Sequence, residues 1–238
     1  PRRWWRKPAI MLPRGGMKKL DTRPIAIPGS VIASGLIQLS TSISVMVSSA
    51  EQSAAWLAES NQSDSSFGKA VAGAGDLDGD GFAEVVVGAH GYDNGQLDEG
   101  AVFVWHGAVD GLGDQGSPAN VDWQDEGDVA SLSLGVSVGA AGDVNGDGYS
   151  DLVAGGANLV AAWHGSPDGL PDGLPTWLRA SSQPTSLFGY SVAGVGDING
   201  DGYSDVAVGA PLHTETVQRE GGAWAYCGSA GGLPAVPC

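Results

Sequence analysis

Three stretches of this chain carry oxygen-bearing side chains at positions one, three, five and nine of a nine-residue segment. The first has Asp76, Asp78, Asp80 and Glu84, the second Asp143, Asn145, Asp147 and Asp151, and the third Asp197, Asn199, Asp201 and Asp205. Gly81, Gly148 and Gly202 stand at the sixth position, where a tightly curled chain must bend sharply. Alternate residues of such a curl aim their oxygens at one centre. A hard cation such as Ca2+ takes six to eight oxygens at about 2.3–2.6 Å. The seventh residue, Phe82, Tyr149 or Tyr203, is placed to add its backbone carbonyl. Without a cation the loop opposes itself, since two carboxylates about 4 Å apart repel by roughly 4 kcal/mol at an effective dielectric near 20. Metal binding and local folding are therefore expected to be coupled, with about three calcium ions, one per segment. A plain polar hairpin turn accounts for one such segment, because Asp-Gly and Asn-Gly favour turns. It does not account for the same acidic frame three times. A helix-flanked EF-hand loop needs an acidic twelfth residue, and here that position is Val87, Ala154 or Val208.

The elements that must hold these loops repeat with them. Trp56, Trp123 and Trp177 each lie 20 residues before the first Asp of their segment. Each ninth position leads into a short apolar, mostly β-branched run ending in Gly. Further on, the strand-like runs Ala101–His106, Val160–His164 and Ala223–Cys227 stop before Gly107, Gly165 and Gly228, and Gly111-Leu112, Gly169-Leu170 and Gly232-Leu233 follow. Apolar β-branched runs bounded by Gly read as strands. Strand, tight turn, strand, loop, strand and Trp-bearing strand make a four-stranded antiparallel unit, the size of a propeller blade. The expected fold is all-β, a partial β-propeller of about three such blades. The predicted divisions are an outer strand over 51–65, then blades over 66–132, 133–186 and 187–238, the last without its outer strand.

Charge is divided along the chain. Eight of the eleven basic residues fall in the first 23 positions, while from Glu51 onward 26 acidic residues face only Lys69, Arg179 and Arg219, leaving −23. Such a surface repels nucleic acid and anionic membrane. Met17-Lys18-Lys19, the mostly apolar Ile25–Val47 and Ser48-Ser49-Ala50 predict a secretory signal over 17–50, diluted by Pro24 and Pro28. Residues 1–16 are expected to be a fragment leader or an artefact outside the fold. That dilution also argues against a membrane span. Cys227 and Cys238 either pair in an oxidising compartment or stand as two thiols. Asn61-Gln62-Ser63 matches a glycosylation sequon.

Phe67-Gly68, Phe188-Gly189, Gly88-Ala89-His90 and Gly209-Ala210-Pro211 flank the Asp-rich loops. With them, residues 54–238 resemble the FG-GAP repeats of integrin-α-type β-propellers, which normally have seven blades. The resemblance implies calcium in the hairpin between the first and second strands of each blade, bracing the propeller and not catalysing. It also implies a secreted or cell-surface protein, a calcium-stabilised scaffold for adhesion or protein/ligand interaction. The second repeat departs: Leu134 replaces Phe, Gly155-Gly156-Ala157 replaces Gly-Ala-Pro, and about nine residues are missing between its second and third strands. The alternative is a propeller scaffold of a secreted hydrolase. His106 and His164 occupy equivalent strand ends, so no catalytic residue is expected. Expected partners are a protein or glycan ligand on the loops His90–Gly100 and Leu212–Gly221, and further blades from a longer chain or from self-assembly. Neither nucleic acid nor a membrane span is expected.

Overall fold

The computed structural model describes residues 56–238. The predicted leader (1–16), the predicted signal (17–50) and residues 51–55 lie outside the described residues. Every regular element described is a strand, so no helix among the described residues is long and apolar enough to cross a membrane.

Eleven strands form three antiparallel sheets. The first contains β1 (Ala70–Gly75), β2 (Glu84–Ala89), β3 (Ala101–Trp105) and β4 (Trp123–Glu126), in that spatial order. The second repeats it with β5 (Ser137–Gly142), β6 (Asp151–Gly156), β7 (Leu159–Trp163) and β8 (Trp177–Ala180). The third has β9 (Ser191–Gly196), β10 (Asp205–Ala210) and β11 (Gly222–Tyr226). Each sheet is thus an up-and-down meander of three or four strands. In the first two sheets the second and third strands are buried on both faces, as their unbroken apolar runs require.

The core lies between sheets. Val86, Val102, Val104 and Trp123 of the first sheet pack with Val138, Leu152, Ala154 and Trp163 of the second. Val153, Val160 and Trp177 of the second pack with Val192, Val206, Val208 and Tyr226 of the third. Neighbouring side chains of one strand therefore serve different seams, Leu152 facing one way and Val153 the other. The recurring Trp is the fastener of this arrangement. Trp123 leaves its own sheet to meet Trp163 edge-on at 5.3 Å, and its Nε1 donates to the Pro171 carbonyl. Trp177 does the same with Tyr226 and Pro234. Trp56 meets Trp105 and donates to Asp114 O, and its segment makes an isolated parallel bridge, Ala58 to Gly116, outside the sheet.

The glycines of the flanking motifs sit at the same seams. A Cβ on Gly155 would lie 1.8 Å from the Gly189 carbonyl oxygen, and one on Gly88 would lie 2.1 Å from that of Gly135. Gly88-Ala89 of the first blade therefore abuts Leu134-Gly135 of the second, and Gly155-Gly156 of the second abuts Phe188-Gly189 of the third, through bare backbone. The trimmed connection of the second blade is a tight turn at Ala157-Asn158, where Asn158 adopts a left-handed φ of 62°. Cys227 and Cys238 form a disulfide, with Cα atoms 5.6 Å apart.

Candidate metal centres

Each Asp-rich loop spans the first two strands of its sheet, Asp76–Glu84 between β1 and β2, Asp143–Asp151 between β5 and β6, and Asp197–Asp205 between β9 and β10. A bulge precedes each loop, between Gly73 and Gly75 in the first, Ala140 and Gly142 in the second, and opposite Asp205 and Val206 in the third. A bulge kinks its strand and redirects the residues after it.

The loops curl through their own carboxylates. Asp76 accepts the N–H groups of Gly79 (2.6 Å) and Gly81 (3.0 Å), and Asp80 accepts that of Phe82 (2.8 Å). Asp143 and Asp197 reproduce this with Gly146, Gly148, Gly200 and Gly202. These amides hold the exposed Asp197 carboxyl below the usual range, the Gly202 N–H contributing most. The sixth-position glycines have φ of 92–96°, as the bend demands. The fourth position also needs glycine, because a Cβ on Gly79 would meet the Tyr149 ring at 2.6 Å and one on Gly146 the Tyr203 ring at 2.5 Å. The carbonyls of Phe82, Tyr149 and Tyr203 accept no hydrogen bond among the described residues.

The first loop gathers most tightly. One carboxylate oxygen from each of Asp76, Asp78, Asp80 and Glu84 lies within 4.8 Å of the others. Glu84 is 1% exposed; its Oε2 accepts the Leu77 N–H at 2.6 Å, while its Oε1 is buried without a partner. Burial pushes this carboxyl up, the Leu77 N–H opposes the shift, and Asp78 and Asp76 add to it by repulsion. An orphaned buried anionic oxygen beside three more carboxylates suits a hard dication.

In the other two loops the ninth residue is the shorter Asp, and backbone N–H groups take both of its oxygens. Asp151 accepts from Val144 and Gly165, and Asp205 from Ile198 and Gly228, at 2.8–2.9 Å. Asp151 is fully buried, and desolvation pushes its carboxyl up to about 7 despite those N–H groups. Asn145 and Asn199 each donate to the Asp at the fifth position, Asp147 or Asp201. Among the described residues, the carboxylates of these two loops do not converge as closely as those of the first.

Two features were not read from the sequence. His106 Nδ1 lies 2.9 Å from Asp78 Oδ2, so this strand-end residue touches the first loop. Its equivalent, His164, lies near enough to Asp147 and Asp143 for their charges to raise its pKa, although burial lowers it more. The matching of Trp105-His106 with Trp163-His164 carried this signal once the loop was seen to face them. Second, the loop carbonyls reach the next sheet. Asp76 O accepts the Ser150 N–H and Leu77 O that of Ser166, while Asp143 O and Val144 O accept those of Ser204 and Ser229, all at 2.8–3.0 Å. Leu77 and Val144 are fully buried beneath the following sheet, whereas Ile198 in the third loop is 55% exposed.

Three stacked antiparallel meanders, each fastened to the next through a Trp and a first-hairpin Asp loop, define a partial β-propeller. The FG-GAP repeat family model matches residues 67–105 and 188–226 of the chain. The second blade, with its Leu134 and shortened turn, falls outside those matches. The chain is 34% identical over 163 residues to integrin alpha-6 of Gallus gallus, a match covering 65% of this chain and 14% of that protein. It is 34% identical over 166 residues to integrin alpha-PS2 of Drosophila melanogaster, covering 60% and 11%. With integrin alpha-4 of Xenopus laevis it shares 31% over 163 residues, covering 63% and 15%. The matched part of the chain thus spans about one ninth to one seventh of the length of these relatives.

Proposed function

We propose that residues 56–238 form a calcium-stabilised scaffold that presents loops for adhesion or for binding a protein or glycan, outside the cell or at its surface. The observation that carries this reading is the first Asp loop, in which Glu84 Oε1 is buried without a partner among four converging carboxylates. Asp76, Asp78, Asp80, Glu84 and the Phe82 carbonyl would hold one ion there. Asp143, Asn145, Asp147, Tyr149 and Asp151, and Asp197, Asn199, Asp201, Tyr203 and Asp205, would hold the other two, more weakly for having one carboxylate fewer. An ion would fix a loop whose carbonyls bond to the next blade, so its role is to brace seams and not to catalyse. The disulfide fits an oxidising, extracellular setting, as does the resemblance to integrin α subunits.

Ligand contact is assigned to the connections opposite the Asp loops, 90–100 and 211–221. They are the long, exposed ones, and the shortened turn of the second blade leaves a gap between them. Further blades, from a longer chain or a second copy, would cover the exposed face of β9; a monodisperse, stable monomer in light scattering would exclude self-assembly. Calorimetric titration of Ca2+ into chelator-treated protein tests the central reading. Dissociation constants of about 10⁻⁵–10⁻³ M are expected, as in extracellular modules, together with a melting temperature that rises with calcium. Absence of both heat and thermal shift would refute it.

A further inference from the structure

Outside the Asp loops, the side chain least explained by the fold is Glu99. It is fully buried at the end of the 90–100 connection. Its Oε1 has a structural task, accepting the N–H groups of Asn94 (2.5 Å) and Gln96 (3.3 Å) and so closing the turn. Its Oε2 has no hydrogen-bond partner and no access to water. A buried anionic oxygen left unpaired is costly, and native structures rarely keep one without an ion or a water.

The sheet brings two more carboxylates to this point. The register between β3 and β4 sets Glu126 opposite Ala101, two residues from Glu99. Glu126 and Asp128 then close over the turn, and one oxygen from each of the three residues lies within 4.8 Å of the others. Among the described residues, no lysine or arginine pairs with any of them. The spread suits a calcium-type shell, in which oxygens on opposite sides of the ion stand up to about 5 Å apart. Asp128 is exposed, which leaves a path for an ion and for water.

The third blade shows the same turn without the cluster. Glu220 Oε1 accepts the N–H groups of Glu215 and Thr216, but its Oε2 takes the Thr216 hydroxyl and the residue is exposed. In the second blade the turn is too short to hold an equivalent.

We propose that Glu99, Glu126 and Asp128 form a second kind of divalent-cation site. It stands at the end of the first blade opposite its Asp loop, with Glu99 as the buried anchor and water completing the shell. The six residues of β2 separate the two sites by about 20 Å at about 3.3 Å per residue, so each can fill without the other. An ion here would lock the 90–100 connection onto β4 and shape a loop assigned above to ligand contact.

The test counts bound calcium by equilibrium dialysis of the full chain. Glu99→Gln keeps Oε1 as the turn acceptor but replaces Oε2 with an amide nitrogen that does not ligate. Glu99→Gln and the double variant Glu126→Gln, Asp128→Asn should each bind one calcium equivalent fewer than wild type. The double variant Asp78→Asn, Asp80→Asn should lose a different equivalent, and combining it with Glu99→Gln should lose two. If Glu99→Gln fails to fold by far-ultraviolet circular dichroism, the Glu126/Asp128 variant decides alone, because its residues lie nearer the surface. Full wild-type stoichiometry in folded variants of this cluster overturns the proposal. Undiminished binding in the Asp78/Asp80 variant would instead count against the Asp-loop reading and leave this one standing.

Discussion

The bare-backbone contact between blades can be tested with two glycine-to-alanine substitutions that differ only in what the added methyl meets. In Gly155→Ala the new Cβ would lie 1.8 Å from the Gly189 carbonyl oxygen and 2.5 Å from Ser137 Oγ. Carbon and oxygen want roughly 3.4 Å, so the second and third blades must part by about 1.5 Å, and a backbone oxygen cannot rotate away. Overpacking costs about 1–3 kcal/mol, and an immovable neighbour places this site near 3 kcal/mol. For a folded unit of this size, about 2–4 °C accompany each kcal/mol, so a fall of about 6–12 °C is expected. Gly139→Ala, on the neighbouring strand β5, meets no heavy atom within 4 Å and has no left-handed φ. It should be neutral or stabilise by about 0.4–1 kcal/mol, because alanine narrows the unfolded ensemble. Thermal unfolding in saturating calcium, followed by near-ultraviolet circular dichroism, compares the two. Equal melting temperatures would refute the claim that these motif glycines exist to let blades touch.

Three further outcomes are expected. The Asp151 carboxyl, raised to about 7 by burial, binds a proton in the folded chain at pH values where the unfolded chain has released it. Stability in chelator should therefore fall as pH rises from about 4 to about 7, by at most roughly 4 kcal/mol. Asp151→Asn should flatten that slope in denaturant titrations at pH 5 and 7.5. Leu77→Ala should cost about 2–5 kcal/mol as a buried truncation, whereas Ile198→Ala, at the equivalent exposed position, should stay within about 0.5 kcal/mol; urea midpoints distinguish them. Cys238→Ser, opening a link across a sequence separation of 11, should cost about 3 kcal/mol, and reductant should lower the wild-type melting point but not the variant's.

What the sequence revealed was whatever repeats locally. The one-three-five-nine oxygen frame, the Trp 20 residues upstream and the Gly-Leu pairs lie within single repeats, so matched offsets exposed them, and with them the strand order of each blade. Features that depend on strand register were hidden. Glu99 meets Glu126 only because β3 and β4 pair Ala101 with Glu126. His106 meets Asp78 only because β3 runs back beside β2, setting Val85 opposite Trp105. The cysteines left two readings open. The pairing became visible only with the tail alongside β11, where the Cys238 N–H donates to the Ala225 carbonyl. The unpartnered Oε1 of Glu84 also went unread, since it turns on one methylene between Glu84 and its Asp counterparts, whose oxygens are both taken by backbone N–H groups.

The carbonyl bonds that leave the first two Asp loops all point the same way, from Asp76 and Leu77 to Ser150 and Ser166, and from Asp143 and Val144 to Ser204 and Ser229. Each of these loops thus grips its downstream neighbour, and if it holds calcium as proposed, chelation should slacken that joint while sparing the one upstream. Unravelling then acquires a polarity, like a row of tiles in which every tile is pinned only by the one before it.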